Sequence, residues 1–219
     1  MADTLIITSY PPSWQQLADM TCKTHADYAK KHGYDYAADC SDLQDTVWRQ
    51  GHRIGIRGFI KWDLMLHYWE RYKYICWLDA DLLVTNHEIP LETIRSHGLS
   101  VCRDFNGLNT TVMLAHTTPE LREMIWAVNN TGRKFFLAHD WHEMESLRYF
   151  QMTEPYNKML TYHSVADVCP ILAAEYPLPE WLSARYNWKP GSWMLHLSAL
   201  HPQRRIERAR EYGEMLGLL

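Results

Sequence analysis

The chain has 219 residues, 47% hydrophobic and 22% charged, which is the balance of an ordinary soluble globular protein of one large domain or two small ones. With 22 Lys and Arg against 26 Asp and Glu, the formal net charge is -4 with the 12 histidines neutral, so no global basic field advertises nucleic-acid binding. No apolar run approaches membrane-spanning length, and residues 1–8 lack a charged segment followed by a long apolar one, so the expectation is a cytoplasmic protein.

The five cysteines are scattered, odd in number and without C-x-x-C spacing, and read as free thiols of a reducing compartment. Ten Trp and 13 Tyr are a heavy aromatic load that suits stacking on a sugar or base as well as filling a core.

Thr4 to Ser9 reads as a short buried strand closed by Tyr10-Pro11-Pro12. Ser13, with Gln16 three residues later, has capping-box spacing, and a helix is expected from there to Gly33. Strand, turn and helix in that order open an α/β fold. Tyr34 to Ala38 supplies a second strand, ending at Asp39. Strand carboxyl ends line the ligand crevice in such sheets, so Thr8, Ser9, Tyr10 and Asp39 fall where a nucleotide would sit, although each alone is also ordinary turn chemistry.

Residues 41–58 carry little apolar periodicity and contain Gly51, Gly55 and Gly58, which predicts a loop. A helix follows, roughly Phe59 to Arg71, with Ile60, Leu64, His67 and Tyr68 on one face. Arg57 and Lys61 lie four apart, where two cations meet phosphates or simply face solvent.

The stretch from Tyr74 to Asn86 is the centre of the chain: an apolar run delivers Asp79 and Asp81 and returns at once to Leu82-Leu83-Val84. In an extended segment both carboxylates point to one side. Two acids so close resist joint ionisation unless a cation sits between them, and a hard divalent ion with oxygen ligands meets that need. A bare Asp-x-Asp is a weak signal; the apolar walls on both sides strengthen it.

Beyond it, Pro90 to Arg95 reads as a short helix, and Leu99 to Arg103 and Thr111 to Ala115 as strands joined by the polar connection Asp104 to Asn109. Pro119 to Val128 has helical spacing. The acidic, histidine-rich segment from His139 through Asp140, Trp141, His142 and Glu143 to Glu145 opens a helix that carries Leu147 and Phe150. Thr161 to Tyr186 reads as irregular, Gly191 to Ala199 as a short apolar strand bearing His196, and Pro202 to Leu216 as a basic helix. There is no internal repeat and no linker that divides the chain, so residues 1–219 are expected to form one domain.

Taken in order, Lys31-His32-Gly33-Tyr34-Asp35-Tyr36, Lys61-Trp62, Trp77-Leu78-Asp79-Ala80-Asp81, Leu108-Asn109-Thr110, Trp141-His142-Glu143 and His196 resemble the nucleotide-sugar glycosyltransferases of the GT-A fold. Within them the chain looks most like the family of plant galactomannan galactosyltransferases, xyloglucan xylosyltransferases and fungal mannan α-1,6-mannosyltransferases. The resemblance covers most of the chain and implies an α/β, Rossmann-like fold with a mixed, mostly parallel central sheet flanked by helices. It implies metal-dependent transfer of a sugar from a nucleoside-diphosphate sugar, a UDP-sugar, to the hydroxyl of a glycan or other acceptor, with retention of configuration.

The same resemblance assigns Asp79, Asp81 and His196 to a divalent metal, Mn2+ or Mg2+, that bridges the donor phosphates. It places Thr8, Tyr10 and Asp39 at base and ribose, Arg57 and Lys61 near phosphate or donor sugar, Asn109 facing the sugar, and Glu143 or Asp140 at the reacting centre. The chain departs from the family at Thr111, where glycine is usual, at Met144, where Gln is usual, and at Leu197-Ser198-Ala199, where Phe-Ala-Gly is usual. Those changes leave donor sugar and catalytic detail open more than the metal site.

Two other readings stand beside it. One is the same transfer onto a hydroxymethylated nucleic-acid base, permitted by Arg204, Arg205, Arg208 and Arg210 but opposed by the net charge. The other is a catalytically silent carbohydrate- or nucleotide-binding module, which the set of Asp79, Asp81 and His196 argues against. A short chain without anchor or stem is not expected in the Golgi, and the oligomeric state is not legible.

Overall fold

Leu5, Ile6 and Ile7 are buried on both faces of their strand, which is what a strand needs to lie inside a sheet covered by helices on either side. The structure is a computed structural model describing residues 2–40, 46–49, 52–55, 57–137, 142–176, 178–198 and 200–219, of which 46–49, 52–55, 57, 142 and 174 are described by backbone alone. β1 (Thr4–Tyr10) leads to α1 (Gln15–His32) and β2 (Asp35–Cys40). A hairpin of β3 (Thr46–Arg49) and β4 (His52–Gly55) precedes α2 (Ile60–Tyr68), β5 (Tyr74–Leu78) and β6 (Leu82–Val84). β7 (Leu99–Asp104), β8 (Gly107–His116), α3 (Pro119–Thr131), α4 (His142–Gln151) and β9 (Leu160–Ser164) follow. The chain closes with α5 (Val165–Val168), α6 (Glu180–Tyr186), β10 (Met194–His196) and α7 (Pro202–Met215).

The central sheet has the order β2-β1-β5-β8-β7-β9. β1 is parallel to β2 and β5, β7 is parallel to β9, and β8 is antiparallel to both β5 and β7. β8 alone therefore runs against the other five strands. β6 and β10 pair separately as an antiparallel ribbon. On one face of the sheet Ile7, Ile75 and Trp77 pack with Phe59, Trp62 and Met65 of the second helical segment and with Leu121, Met124 and Ile125 of α3. On the other, Ile6, Cys76 and Leu78 meet Tyr28 and Ala29 of α1 and Val165 and Val168 of α5. Leu17, Leu83, Leu195, Leu197 and Ala209 tie α1, the ribbon and α7 together.

Several expectations are corrected. Ser13 does not cap α1: Pro12–Trp14 form a 3-10 turn, proline being well placed at such a start, and no side chain caps either turn or helix. The helix does stop at Gly33, whose φ of 71° is the left-handed conformation glycine adopts without strain. The buried stripe of the second helical segment runs through Phe59, Trp62, Met65 and Trp69, not through Leu64 and His67, because the two indoles carry the largest apolar area there. The described part of residues 41–58 holds the β3–β4 hairpin. The segment read as irregular supplies β9, an edge strand whose residues after Leu160 are exposed or only partly buried.

Candidate active site at the strand ends

Because β1, β2, β5, β7 and β9 run one way, their carboxyl ends open on one edge, where α/β sheets bind ligands. β5 ends at Leu78, and Asp79 and Asp81 occupy the turn before β6 rather than one unbroken extended run. Alternation of side chains is thus not what brings them together. The ribbon does this: His196 of β10 pairs with Leu82, and Leu197 N donates to Asp81 O at 2.9 Å. On the other side Asp79 N donates to Thr111 O at 3.0 Å. One ligand atom from each of Asp79, Asp81 and His196 then lies within 4.8 Å of the others.

Each carboxylate of the pair has its own cation. Trp77 Nε1 donates to Asp79 Oδ1 at 2.6 Å, and Lys61 Nζ lies 3.4 Å from the same oxygen. Lys61 also meets Glu143 Oε1 at 3.5 Å and Thr110 Oγ1 at 3.1 Å. Asp81 is held by Arg205 Nη1, 3.0 Å from Oδ2, and by His196 Nε2, 3.4 Å from Oδ1. The two acids are pushed apart electrically. Burial, only partly offset by Lys61, raises the Asp79 pKa, with the charge of Asp81 adding to it. Burial acts on Asp81 in the same sense, but His196 and Arg205 outweigh it and hold that carboxyl below its usual range. For Lys61 burial works against the ammonium, while Asp79 and Glu143 prevail and raise its pKa, keeping it charged.

The remaining predicted residues divide. Ser9 and Asp39 are opposite one another on β1 and β2 and bonded, Ser9 Oγ donating to Asp39 Oδ2 at 3.0 Å. Ser9 lies two residues beyond Ile7, and Asp79 two beyond its partner Trp77, so a polar row of Asp39, Ser9 and Asp79 crosses the strand ends. Thr8 faces the opposite way: it is fully buried and bonds His25 at 2.9 Å, so its hydroxyl supports α1 and does not reach the edge. Tyr10 shares that side, among Gln15, Asp19 and Cys22 of α1. The Asn109 amide is engaged within the β7–β8 hairpin, donating to Asp104 Oδ2 at 2.9 Å and accepting from Thr111 N at 2.9 Å. Arg57 begins a 3-10 turn, with its side chain outside the described residues, as Asp140 is altogether.

Sequence reasoning missed Trp77 and Thr110 as site residues and gave Arg205 a different task. Thr110 reaches Lys61 because a bulge after Val101 frees that part of β8 from β7. Arg204 and Arg208 both pair with Glu175, so of the four arginines offered as a nucleic-acid contact three are held by carboxylates of this chain.

Asp79, Asp81 and His196 fit a divalent ion. Ligands at ~2.1 Å on opposite sides of such an ion stand ~4.2 Å apart, so the observed spread needs only about half an ångström of closure. The donors to Asp79 among the described residues take Oδ1, and Arg205 takes Oδ2 of Asp81, which leaves one oxygen of each acid for a cation. Two carboxylates and an imidazole suit a divalent ion of hard to borderline character.

The mixed six-stranded sheet flanked by helices matches the GT-A fold of solved glycosyltransferases. The chain is similar to a glycosyltransferase involved in the glycosylation of the major capsid of PBCV-1, with a TM-score of 0.71 and 15% identity over 95% of this chain and 98% of that one. It is also similar to the galactosyltransferase LgtC in complex with donor and acceptor sugar analogs, at a TM-score of 0.59 and 12% identity over 98% and 96% of the two chains. The glycosyltransferase GlyE of Streptococcus pneumoniae TIGR4 shares a TM-score of 0.66 and 13% identity over 99% of this chain and 63% of its own. No protein-family model and no curated protein matches the sequence. No helix among the described residues is long and apolar enough to cross a membrane.

Proposed function

We propose that this protein is a metal-dependent glycosyltransferase that moves a sugar from a nucleoside-diphosphate sugar, a UDP-sugar, to an acceptor hydroxyl with retention of configuration. The order of its motifs sets it nearest the galactosyl-, xylosyl- and α-1,6-mannosyltransferase family named above. The observation that carries the reading is the convergence of Asp79, Asp81 and His196 on the strand-end edge of a fold shared with sugar-transferring proteins. A divalent ion held there supplies Lewis acidity that neutralises the charge developing on the departing diphosphate.

The chain's own residues do the rest. Asp39, braced by Ser9, accepts hydroxyl donors of the ribose. Lys61 fixes Asp79 and Glu143 at once, so the Glu143 carboxylate is oriented before substrate arrives. From there it stabilises the positive charge of an oxocarbenium-like sugar or orients the acceptor hydroxyl, with Asp140 the alternative acid.

Incubation with Mn2+ and a panel of nucleotide sugars, followed by assay of nucleoside diphosphate, tests this. At least one UDP-sugar is expected to release UDP, and excess chelator to stop it. Release from no donor, or full turnover in chelator, would overturn the reading.

A further inference from the structure

An open cavity of about 310 Å³ lies where β7, β9 and α6 meet, lined by Arg103, Asp104, Tyr162, His163, Arg185 and Tyr186. β7 and β9 end on the same edge as β5, so the cavity shares that edge with Asp79. It is joined to the site by the hairpin: Asp104 bonds Asn109, whose neighbour Thr110 contacts Lys61. Its volume is at the lower end of the ~300–1,000 Å³ typical of small-ligand sites, which suits a single sugar ring.

The charges in it are unequal. Both oxygens of Asp104 are occupied within the hairpin, Oδ1 by Asn106 N at 2.7 Å and Oδ2 by Asn109 Nδ2 at 2.9 Å. Among the described residues neither Arg103 nor Arg185 has a carboxylate partner, whereas the arginines of α7 that contact Glu175 and Asp81 do. Arg103 Cζ stands 3.6 Å from the centre of the Tyr162 ring, and Arg185 Cζ stands 5.6 Å from that of Tyr186. A guanidinium that spends its face on a ring keeps its edge N–H groups for a planar or tetrahedral anion. Phe105, 44% exposed, packs edge-on against Tyr186 at 5.7 Å and offers an apolar surface beside the charges. His163 Nε2 is buried with no partner among the described residues.

We propose that this cavity is the acceptor site and that it selects a sugar bearing an anionic group, a carboxylate or a phosphate. The proposal rests on the glycosyltransferase reading for the word acceptor, while the anion preference rests on the arginines alone. A neutral sugar would use the aromatic surface and leave both guanidinium edges unpaired.

The test is a titration of the full chain, 15N-labelled at arginine, with glucuronate, glucose 6-phosphate and glucose in the presence of Mg2+ and UDP. At least one anionic sugar is expected to shift the Arg103 and Arg185 Nε–Hε resonances and to bind about ten-fold or more tightly than glucose. Comparing the two anions tells carboxylate from phosphate. Arg185 is exposed on α6, so Arg185→Gln leaves the core untouched and is expected to remove that preference without changing the affinity for UDP and Mg2+. Equal affinity for all three sugars, no binding of either anion at millimolar concentration, or anion binding indifferent to both Arg185→Gln and Arg103→Gln would overturn the proposal. UDP and Mg2+ titrated alone separate the two readings: failure there removes the donor assignment and leaves the anion result standing.

Discussion

Lys61 is 4% exposed, yet its ammonium stays charged because Asp79, Glu143 and Thr110 surround it. Removing that charge takes away a cation that Asp79 and Glu143 share in a buried setting. Lys61→Met is therefore expected to cost ~3 kcal/mol of unfolding free energy in urea titration, and an unchanged midpoint would mean that water already screens the cluster. The family resemblance carried by Lys61-Trp62 marked Lys61 as a donor-side cation, while its four-residue spacing from Arg57 fitted phosphates and a solvated face equally. Its burial was not legible, because the partners that justify it come from the turn after β5, from β8 and from α4. Arg205 was hidden for the same reason: in sequence it is one of several arginines on a basic helix, and only the fold sets it on Asp81.

At the scale of elements, α1 is fastened to the sheet by a buried imidazole. His25 Nε2 donates to Leu82 O at 2.7 Å, and Nδ1 accepts from Thr8 Oγ1 at 2.9 Å. Burial lowers its pKa from 6.5 to about 4, against the smaller opposing effect of the Leu82 bond. Between those values the unfolded chain takes up a proton that the folded chain refuses. This part of the stability is whole above pH ~6.5 and is lost as pH falls toward ~4, by up to ~3 kcal/mol. Urea titrations across that window should show the slope, and His25→Asn should flatten it; an identical slope in the variant would assign the protons elsewhere.

The edge strand β9 offers a second test. A Cβ on Gly98 would meet Met159 O at 2.0 Å, so Gly98→Ala must push β9 from β7 and is expected to cost ~2 kcal/mol, read as a lower melting temperature. A variant as stable as the parent would show that the edge gives way freely. β9 itself was invisible in sequence because an edge strand lacks the continuous apolar run that announced β1 and β5. β6 and β10 were legible as apolar stretches, but their pairing was not.

Over the whole molecule, five strands running one way bring Asp39, Ser9, Asp79 and Asp104 to one edge, and the β6–β10 ribbon folds Asp81 and His196 onto it. The α/β order and the mid-chain acids could be read from residue pattern, since buried strands and charges between apolar walls leave local traces. The late histidine could be named only by resemblance, because nothing near position 196 records which strand it pairs with. That pairing is the centre of the account. Calorimetric titration of Mn2+ in the presence of UDP tests it most directly. The parent chain is expected to bind one ion, and Asp79→Asn, Asp81→Asn and His196→Ala each to weaken that binding by ~100-fold or more while keeping a cooperative thermal transition. Folded variants that bind Mn2+ with the parent's affinity and stoichiometry would contradict the account.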